Sequence, residues 1–188
     1  MHLVFLLEER SAKHVLDTLL PLFIPNDVTY STIPHQGKSD LEKSIPIKLR
    51  GWLTPETYFV ILHDKDNSDC HALKRKLTKL CETAGRKDVL VRIVCYELEA
   101  WYWGDLDAVE KAYPKFRAVN YRNWSKYQVP DDIVKPSKEL ERLIHDFQKG
   151  AASRLIPNHM DIRSNKSKSF QIFISGVEEM ILNTSRTS

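Results

Sequence analysis

Short apolar runs that end in acidic residues constrain the fold of this chain more than any other feature. Runs of this length are typical of strands buried in a parallel sheet. The carboxyl ends of such strands lie at one edge of the sheet, where ligands bind in open α/β folds. The acids that we expect at this edge are Glu8 after residues 3–7, Asp64 and Asp66 after residues 58–62, and Glu97 and Glu99 after residues 89–96.

Acidic side chains gathered at one edge repel one another unless a cation lies among them. Carboxylate oxygens are the hard ligands that Mg²⁺ and Mn²⁺ prefer, and a site of this kind is typical of phosphoryl chemistry. The triplet Asp64-Lys65-Asp66 alone is equally typical of a solvated turn. Glu8 favours the metal site, because crowded carboxylates that lack a partner destabilise a fold.

A third acidic site lies after the last predicted strand. Glu99 precedes the bulky block 100–103, which would orient its carboxylate. Glu97, Asp105 and Asp107 bring this stretch to four carboxylates, and some of them are expected to be surface charges or first-turn helix acids. We therefore include Glu99 in the candidate site and leave Glu97 open.

The order of the predicted elements favours an α/β fold. A segment with helical spacing follows each predicted strand, and Pro46 is expected to kink or interrupt the second of these helices. This βαβαβαβα order predicts a mostly parallel, Rossmann-like sheet that is flanked by helices on both faces. The predicted strands are residues 3–7, 28–33, 58–62 and 89–96, and the fourth helix is predicted at residues 98–112.

The last third of the chain has more prolines and weaker strand signals, and we expect helices at residues 137–149 and 170–182. Residues 183–188 are expected to form a frayed tail. The predicted organisation is an α/β core at residues 1–112 and a helical C-terminal extension at residues 113–188, packed together as one structural unit.

Bulk composition excludes several classes of protein. The 188 residues carry a net charge of +3, and no apolar run approaches the ~20 residues that a membrane span needs. The N-terminus has the pattern of a strand and shows no secretory signal. The three cysteines lack CxxC spacing, so we expect them to pack in a reducing cytoplasm, and we expect no membrane association.

A basic, aromatic-rich segment occupies residues 111–127, with five basic residues and no acidic one. Cations follow phosphates and aromatic faces stack on bases, so this mixture suits single-stranded or distorted nucleic acid. The alternative interpretation is a solvated surface with some core aromatics. The basic residues that we select here as candidate nucleic-acid contacts are Lys115, Arg122 and Lys126.

Two further segments are candidates for phosphate binding. Lys166 and Lys168 precede an amphipathic helix, and backbone N–H groups at a helix N-terminus bind phosphate; a capped helix on a polar loop is the alternative. Gly37-Lys38-Ser39 lacks the P-loop pattern, because Thr32 stands where a glycine is required, but Lys38 remains a phosphate candidate. His63 is interpreted as an acid or base of the site or as an ordinary strand-end histidine.

Glu8 after the first strand and Asp64-Lys65-Asp66 after the third resemble the motifs of the Toprim fold. This fold is the metal-binding module of topoisomerases, primases and nucleases of the overcoming-lysogenization-defect type. More narrowly, the chain resembles an uncharacterised bacterial Toprim-like family that is often encoded beside an ATPase in defence gene clusters. The segments that carry this resemblance are residues 6–8, 35–41, 63–66, 97–101 and 167–170.

The resemblance implies a Toprim-like α/β fold and a divalent-metal-dependent nuclease that cleaves DNA or RNA phosphodiesters. It also implies that the chain is the effector of an anti-phage system with an ATPase partner. The expected catalytic residues are Glu8, Asp64, Asp66 and Glu99, of which Glu8, Asp64 and Asp66 would hold Mg²⁺ or Mn²⁺. The expected nucleic-acid contacts are Lys38, Lys115, Arg122, Lys126, Lys166 and Lys168.

Two alternatives stay open at this stage. The chain could be a non-catalytic regulatory partner of an ATPase. The modest net charge favours this interpretation, and so does Glu9, which stands where the Toprim motif usually has glycine. It could also be a phosphatase or nucleotide hydrolase that uses the same carboxylates on small substrates. The sequence leaves open whether the chain forms a homo-oligomer.

Overall fold

A computed structural model describes residues 1–185, with side chains to residue 184, and its strands form one parallel sheet. The strands are β1 (His2–Leu7), β2 (Thr29–Pro34), β3 (Thr57–Asp64) and β4 (Leu90–Val94). The helices are α1 (Arg10–Leu19), α2 (Lys38–Gly51), α3 (Cys70–Thr83), α4 (Ala100–Trp103), α5 (Leu106–Ala112), α6 (Pro136–Leu143), α7 (Lys149–Leu155) and α8 (Lys168–Ser185). Short 3₁₀ turns connect several of them.

The predicted α/β fold with a parallel, helix-flanked sheet and a C-terminal helix is confirmed. The strand order is β2-β1-β3-β4, and Leu7 at the end of β1 lies opposite Pro34 of β2 and Leu62 of β3. The chain passes from β1 to β2 on one side and then crosses to β3 on the other side of β1. The strand order therefore reverses between β1 and β3, which is the position where open α/β sheets bind ligands.

The alternation of side chains along β1 divides the core into two layers. Leu3, Phe5 and Leu7 lie in a large cluster with α1 and the C-terminal helices, whereas Val4 and Leu6 pack with α2 and α3 on the opposite face. All five side chains are fully buried, and each such burial stabilises the fold by roughly 1.5–3 kcal/mol. Burial on both faces explains why β1 is a continuous apolar run.

Three helix predictions need correction. The helix predicted at residues 98–112 is two helices, because α4 ends at Trp103 and the Asp105 carboxylate accepts a hydrogen bond from the Ala108 N–H to start α5. The helix predicted at residues 137–149 ends at Leu143, because Ile144 has extended backbone. The interruption expected at Pro46 does not occur, and α2 runs through it.

The C-terminal helices pack on the same face of the sheet as α1. Helix α7 contacts α1, and α8 contacts β4. The Trp101 ring of α4 lies 5.0 Å from the Phe170 ring and 5.3 Å from the Phe173 ring of α8, measured between centroids. Helix α8 includes residues 183–185 of the predicted tail, and residues 186–188 lie outside the described part of the chain.

No helix among residues 1–185 is long and apolar enough to cross a membrane.

Candidate functional site

The carboxyl ends of β1 and β3 bring Glu8 and Asp64 into direct contact. Glu8 Oε2 accepts a hydrogen bond from the Asp64 backbone N–H at 3.2 Å and lies 3.3 Å from His63 Nδ1. Burial raises the pKa of Glu8 above its ordinary value, while His63 and the Asp64 amide act in the opposite direction. Two of the predicted site residues are therefore neighbours at the point where the strand order reverses.

The Asp64 carboxylate connects β3 to the acidic loop after β4. Its Oδ2 accepts a hydrogen bond from the Leu98 N–H at 3.3 Å, and Leu98 immediately precedes the predicted site residue Glu99. Burial raises the pKa of Asp64 well above its ordinary value, and the neighbouring charges of Glu8 and Glu99 raise it further. The carboxylates of Glu8 and Glu99, at the two other strand ends, are therefore close enough to Asp64 for their charges to act on it.

Glu99 is a buried carboxylate without a hydrogen bond. Its side chain is 1% exposed, and neither oxygen has a hydrogen-bond partner among the described residues. The Lys149 Nζ, at 3.4 Å from Oε2, supplies an opposite charge. Burial raises the pKa of Glu99 to about 7, although Lys149 opposes the shift. Such a group destabilises a fold unless a cation or a proton compensates it.

Asp66 is turned toward a lysine. Its backbone has a left-handed φ of +49°, and its N–H donates to the Tyr96 carbonyl at 2.8 Å. The Asp66 carboxylate accepts from Lys38 Nζ at 3.1 Å. Lys38 is the first residue of α2 and follows Gly37, whose φ is +94°. The predicted site residues Lys38 and Asp66 therefore form an ion pair with each other.

His63 faces the site with one ring nitrogen and a neighbouring cavity with the other. Nδ1 lies 2.7 Å from the Asp64 carbonyl oxygen, so Nδ1 carries a hydrogen, because a carbonyl can only accept. Nε2 is buried without a hydrogen bond and lies 3.7 Å from Glu42 Oε1. The cavity lies between α2 and α3 and is also lined by Asp66 and Lys76.

The carboxylate ligands at this edge are of the kind that a hard divalent cation prefers. Their side chains, however, are not arranged around a common point as in a formed metal site. Carboxylate oxygens from three strand ends meet the preference of Mg²⁺ or Mn²⁺, and both oxygens of Glu99 are buried without a hydrogen bond. Within residues 1–185, however, no three His, Cys, Asp or Glu side chains are grouped so that they could hold a metal ion. Protein partners lie beside Glu8, Asp66 and Glu99 instead.

The predicted nucleic-acid contacts other than Lys38 belong to the C-terminal part of the chain. Arg122 pairs with Asp107, and Lys126 pairs with Glu139 at 2.8 Å. Lys166 is exposed and lines a cavity together with Arg122. Lys115 and Lys168 are exposed as well. The positive charge of Arg122 and Lys126 is therefore shared with neighbouring carboxylates.

Several aromatic residues of the basic segment build the core. Phe116 and Tyr127 are buried in the large cluster, and Tyr121 stacks on Phe116 with 5.0 Å between ring centroids. Trp124 stacks on Tyr127 at 5.9 Å and is about half exposed. Of these four rings, Trp124 presents the most surface to a ligand.

Sequence reasoning missed Asp131 and Lys149. The Asp131 carboxylate accepts from the Ser167 hydroxyl and from both the hydroxyl and the N–H of Ser169, each at 2.8 Å, so a protein anion lies at the start of α8, where we expected phosphate. Lys149 begins α7 and reaches Glu99. Neither residue belongs to a motif, and each contacts a partner more than 30 positions away in the chain.

The fold and the site together define an α/β domain with an acidic edge at the carboxyl ends of its parallel strands. The family described as Domain of unknown function (DUF4276) matches residues 7–178, and the chain belongs to this family. No curated protein matches the sequence. Among solved structures, the C-terminal region of the OLD protein of Xanthomonas campestris pv. campestris is similar, with a TM-score of 0.49, 15% identity and coverage of 97% of each chain.

Proposed function

We propose that this protein is a divalent-metal-dependent nuclease that cleaves phosphodiester bonds in DNA or RNA. The observation that carries the proposal is the contact between Glu8 and Asp64 at the reversal of strand order, with the buried carboxylate of Glu99, which accepts no hydrogen bond, close to Asp64. The likeness of these positions to the Toprim motifs supports the same activity. The proposed setting is the cytoplasm, in an anti-phage system with an ATPase partner.

The proposal assigns a role to each of the four acidic residues. Glu8, Asp64 and Asp66 hold Mg²⁺ or Mn²⁺, which when bound would stabilise negative charge on the scissile phosphate. Glu8 either completes this coordination or acts as the general base that accepts the proton of the attacking water. Glu99 orients a second ion or the carboxylates that hold the first. Lys38, which lines the cavity beside Asp64 and Asp66, binds a neighbouring phosphate once it leaves Asp66.

The C-terminal part of the chain supplies the remaining contacts to the nucleic-acid backbone. Lys166 and Lys168 lie at the start of α8, and Lys115 is exposed on the same part of the chain. Arg122 and Lys126 would exchange their carboxylate partners for phosphates on binding. Such contacts are sequence-independent and weaken as the salt concentration rises.

Replacement of Asp64 tests the proposal directly. Asp64→Asn preserves the shape of the side chain and an acceptor for the Leu98 N–H but removes the charge, so Mg²⁺-dependent cleavage of DNA and RNA should fall at least 100-fold while the protein stays folded. Asp88→Asn is the matched control, because Asp88 precedes β4 at the opposite end of the sheet. Cleavage by Asp64→Asn at the wild-type rate would contradict the proposal.

A second candidate is a non-catalytic regulatory partner of an ATPase. It is favoured by the protein partners that lie beside the acids and by the lack of an assembled group of three metal-binding side chains within residues 1–185. Calorimetric titration with Mn²⁺ separates the two candidates. Saturable binding that is lost in Asp64→Asn supports the nuclease, and no binding by the wild-type protein supports the regulatory partner.

A further inference from the structure

Lys149 carries a positive charge from the C-terminal part of the chain into the acidic edge. It is the first residue of α7, and α7 packs against α1. Its Nζ lies 3.4 Å from Glu99 Oε2 and 4.0 Å from Glu97 Oε2. The lysine side chain is 38% exposed, whereas Glu99 is almost completely buried. The ammonium therefore lies at the boundary between solvent and a buried carboxylate.

Glu99 depends on this charge. Its two oxygens accept no hydrogen bond from any described residue, so the ammonium of Lys149 is the compensation that the described part of the chain provides within 4 Å. A buried carboxylate without compensation strongly destabilises a fold. The charge of Lys149 also acts on Glu97, Glu9 and Asp64, so it reaches one of the proposed metal ligands.

Lys38 provides an instructive comparison. It pairs with Asp66 at 3.1 Å, but its side chain is 60% exposed and that of Asp66 is 39% exposed. Ion pairs in contact with solvent are weak and screened by salt. Lys149 faces a carboxylate that solvent does not reach, so its attraction to Glu99 is less screened by solvent and salt.

We propose that the ammonium of Lys149 is a tethered counter-cation, which neutralises the acidic edge when no divalent ion is bound and competes with that ion for the edge. The proposal rests on the nuclease function proposed above. Because two cations repel each other beside the same carboxylates, a divalent ion binds only when the ammonium moves away. Competition of this kind explains why the edge has carboxylate ligands suited to a metal ion although, within residues 1–185, no three of them are grouped around a common point.

Lys149→Met tests the competition, because methionine has a similar length and no charge. Calorimetric titration with Mn²⁺ should give a Kd about tenfold lower in Lys149→Met than in the wild type. The variant should also have a lower Tm without metal and a larger rise in Tm with Mn²⁺. Lys138→Met, which removes an exposed ion pair with Glu141, is the matched control and should leave both quantities unchanged.

The outcomes separate this inference from the nuclease proposal. If the wild type binds Mn²⁺ and Lys149→Met binds it equally or more weakly, the competition is overturned and the nuclease proposal stands. If only Lys149→Met binds Mn²⁺, the lysine is a blocking cation and the wild type is not a metal enzyme by itself. If neither binds, both ideas are overturned. Lys149→Gln gives the same test should Lys149→Met not fold, and Lys149→Arg should bind Mn²⁺ as the wild type does.

Discussion

At the scale of single residues, Glu99 combines almost complete burial with two oxygens that accept no hydrogen bond. A carboxylate in this position could be explained as the first residue of a helix, where negative charge is favourable. Helix α4 has four residues, however, and Glu99 makes no side-chain hydrogen bond at its start. Burial is therefore the dominant influence on Glu99, and it raises the pKa of this carboxyl to about 7.

The raised pKa of Glu99 predicts how stability depends on pH. The ordinary value is 4.5, so the folded state binds more protons than the unfolded state between about pH 4.5 and about pH 7. The contribution of Glu99 to stability is fully present below this window and is lost as the pH rises through it. The loss should reach roughly 3 kcal/mol at most.

Urea unfolding of the wild type and Glu99→Gln at pH 5 and pH 8 measures this contribution. The glutamine variant cannot titrate at this position, so its stability should fall less between the two pH values. Asp64 and Glu8 also have raised pKa values, so part of the loss of unfolding free energy between pH 5 and pH 8 should remain in the variant. Glu141→Gln, an exposed surface change, serves as control. If the unfolding free energy of Glu99→Gln and of the wild type fell by the same amount between the two pH values, the raised pKa of Glu99 would be contradicted.

At the scale of elements, the break between α4 and α5 positions the acidic loop. Asp105 caps α5, and its other oxygen accepts from the Asp161 N–H at 2.8 Å. Gly104 lies against Asn165, and the Lys166 N–H donates to the Gly104 carbonyl at 2.9 Å. The loop before α8 is therefore attached to the end of α4 by backbone contacts that a side chain at Gly104 would disturb.

Two glycine substitutions test this close approach. In Gly104→Ala the new Cβ would lie 2.8 Å from the Ser167 backbone nitrogen, so the variant should lose about 1–3 kcal/mol of unfolding free energy. In Gly150→Ala, within α7, the Cβ meets nothing within 4 Å, and the better helix propensity of alanine should stabilise the protein by about 0.5–1 kcal/mol. Urea unfolding measures both, and equal effects of the two changes would contradict the packing described.

At the scale of the whole molecule, the strands and the meeting of Glu8 with Asp64 are predictable from the sequence, because they depend on apolar runs and on the parallel pairing of strands. Apolar runs specified the strands, and parallel pairing then required Glu8 and Asp64 to end at the same edge, where they meet. Lys149 and Asp131 could not be found in this way, because their contacts depend on how the C-terminal part packs. The break at Gly104 is not predictable from the local pattern either. An acid at position 105 is equally typical of the surface of one long helix and of the cap that starts a second helix.

The whole account depends on the acidic edge binding a divalent cation, and calorimetric titration of the wild type and Asp64→Asn with Mn²⁺ tests this most directly. The account predicts saturable binding by the wild type and a Kd at least tenfold higher in Asp64→Asn, because one of the three proposed ligands loses its charge. Equal affinity in the two proteins, or no binding by the wild type, would contradict it.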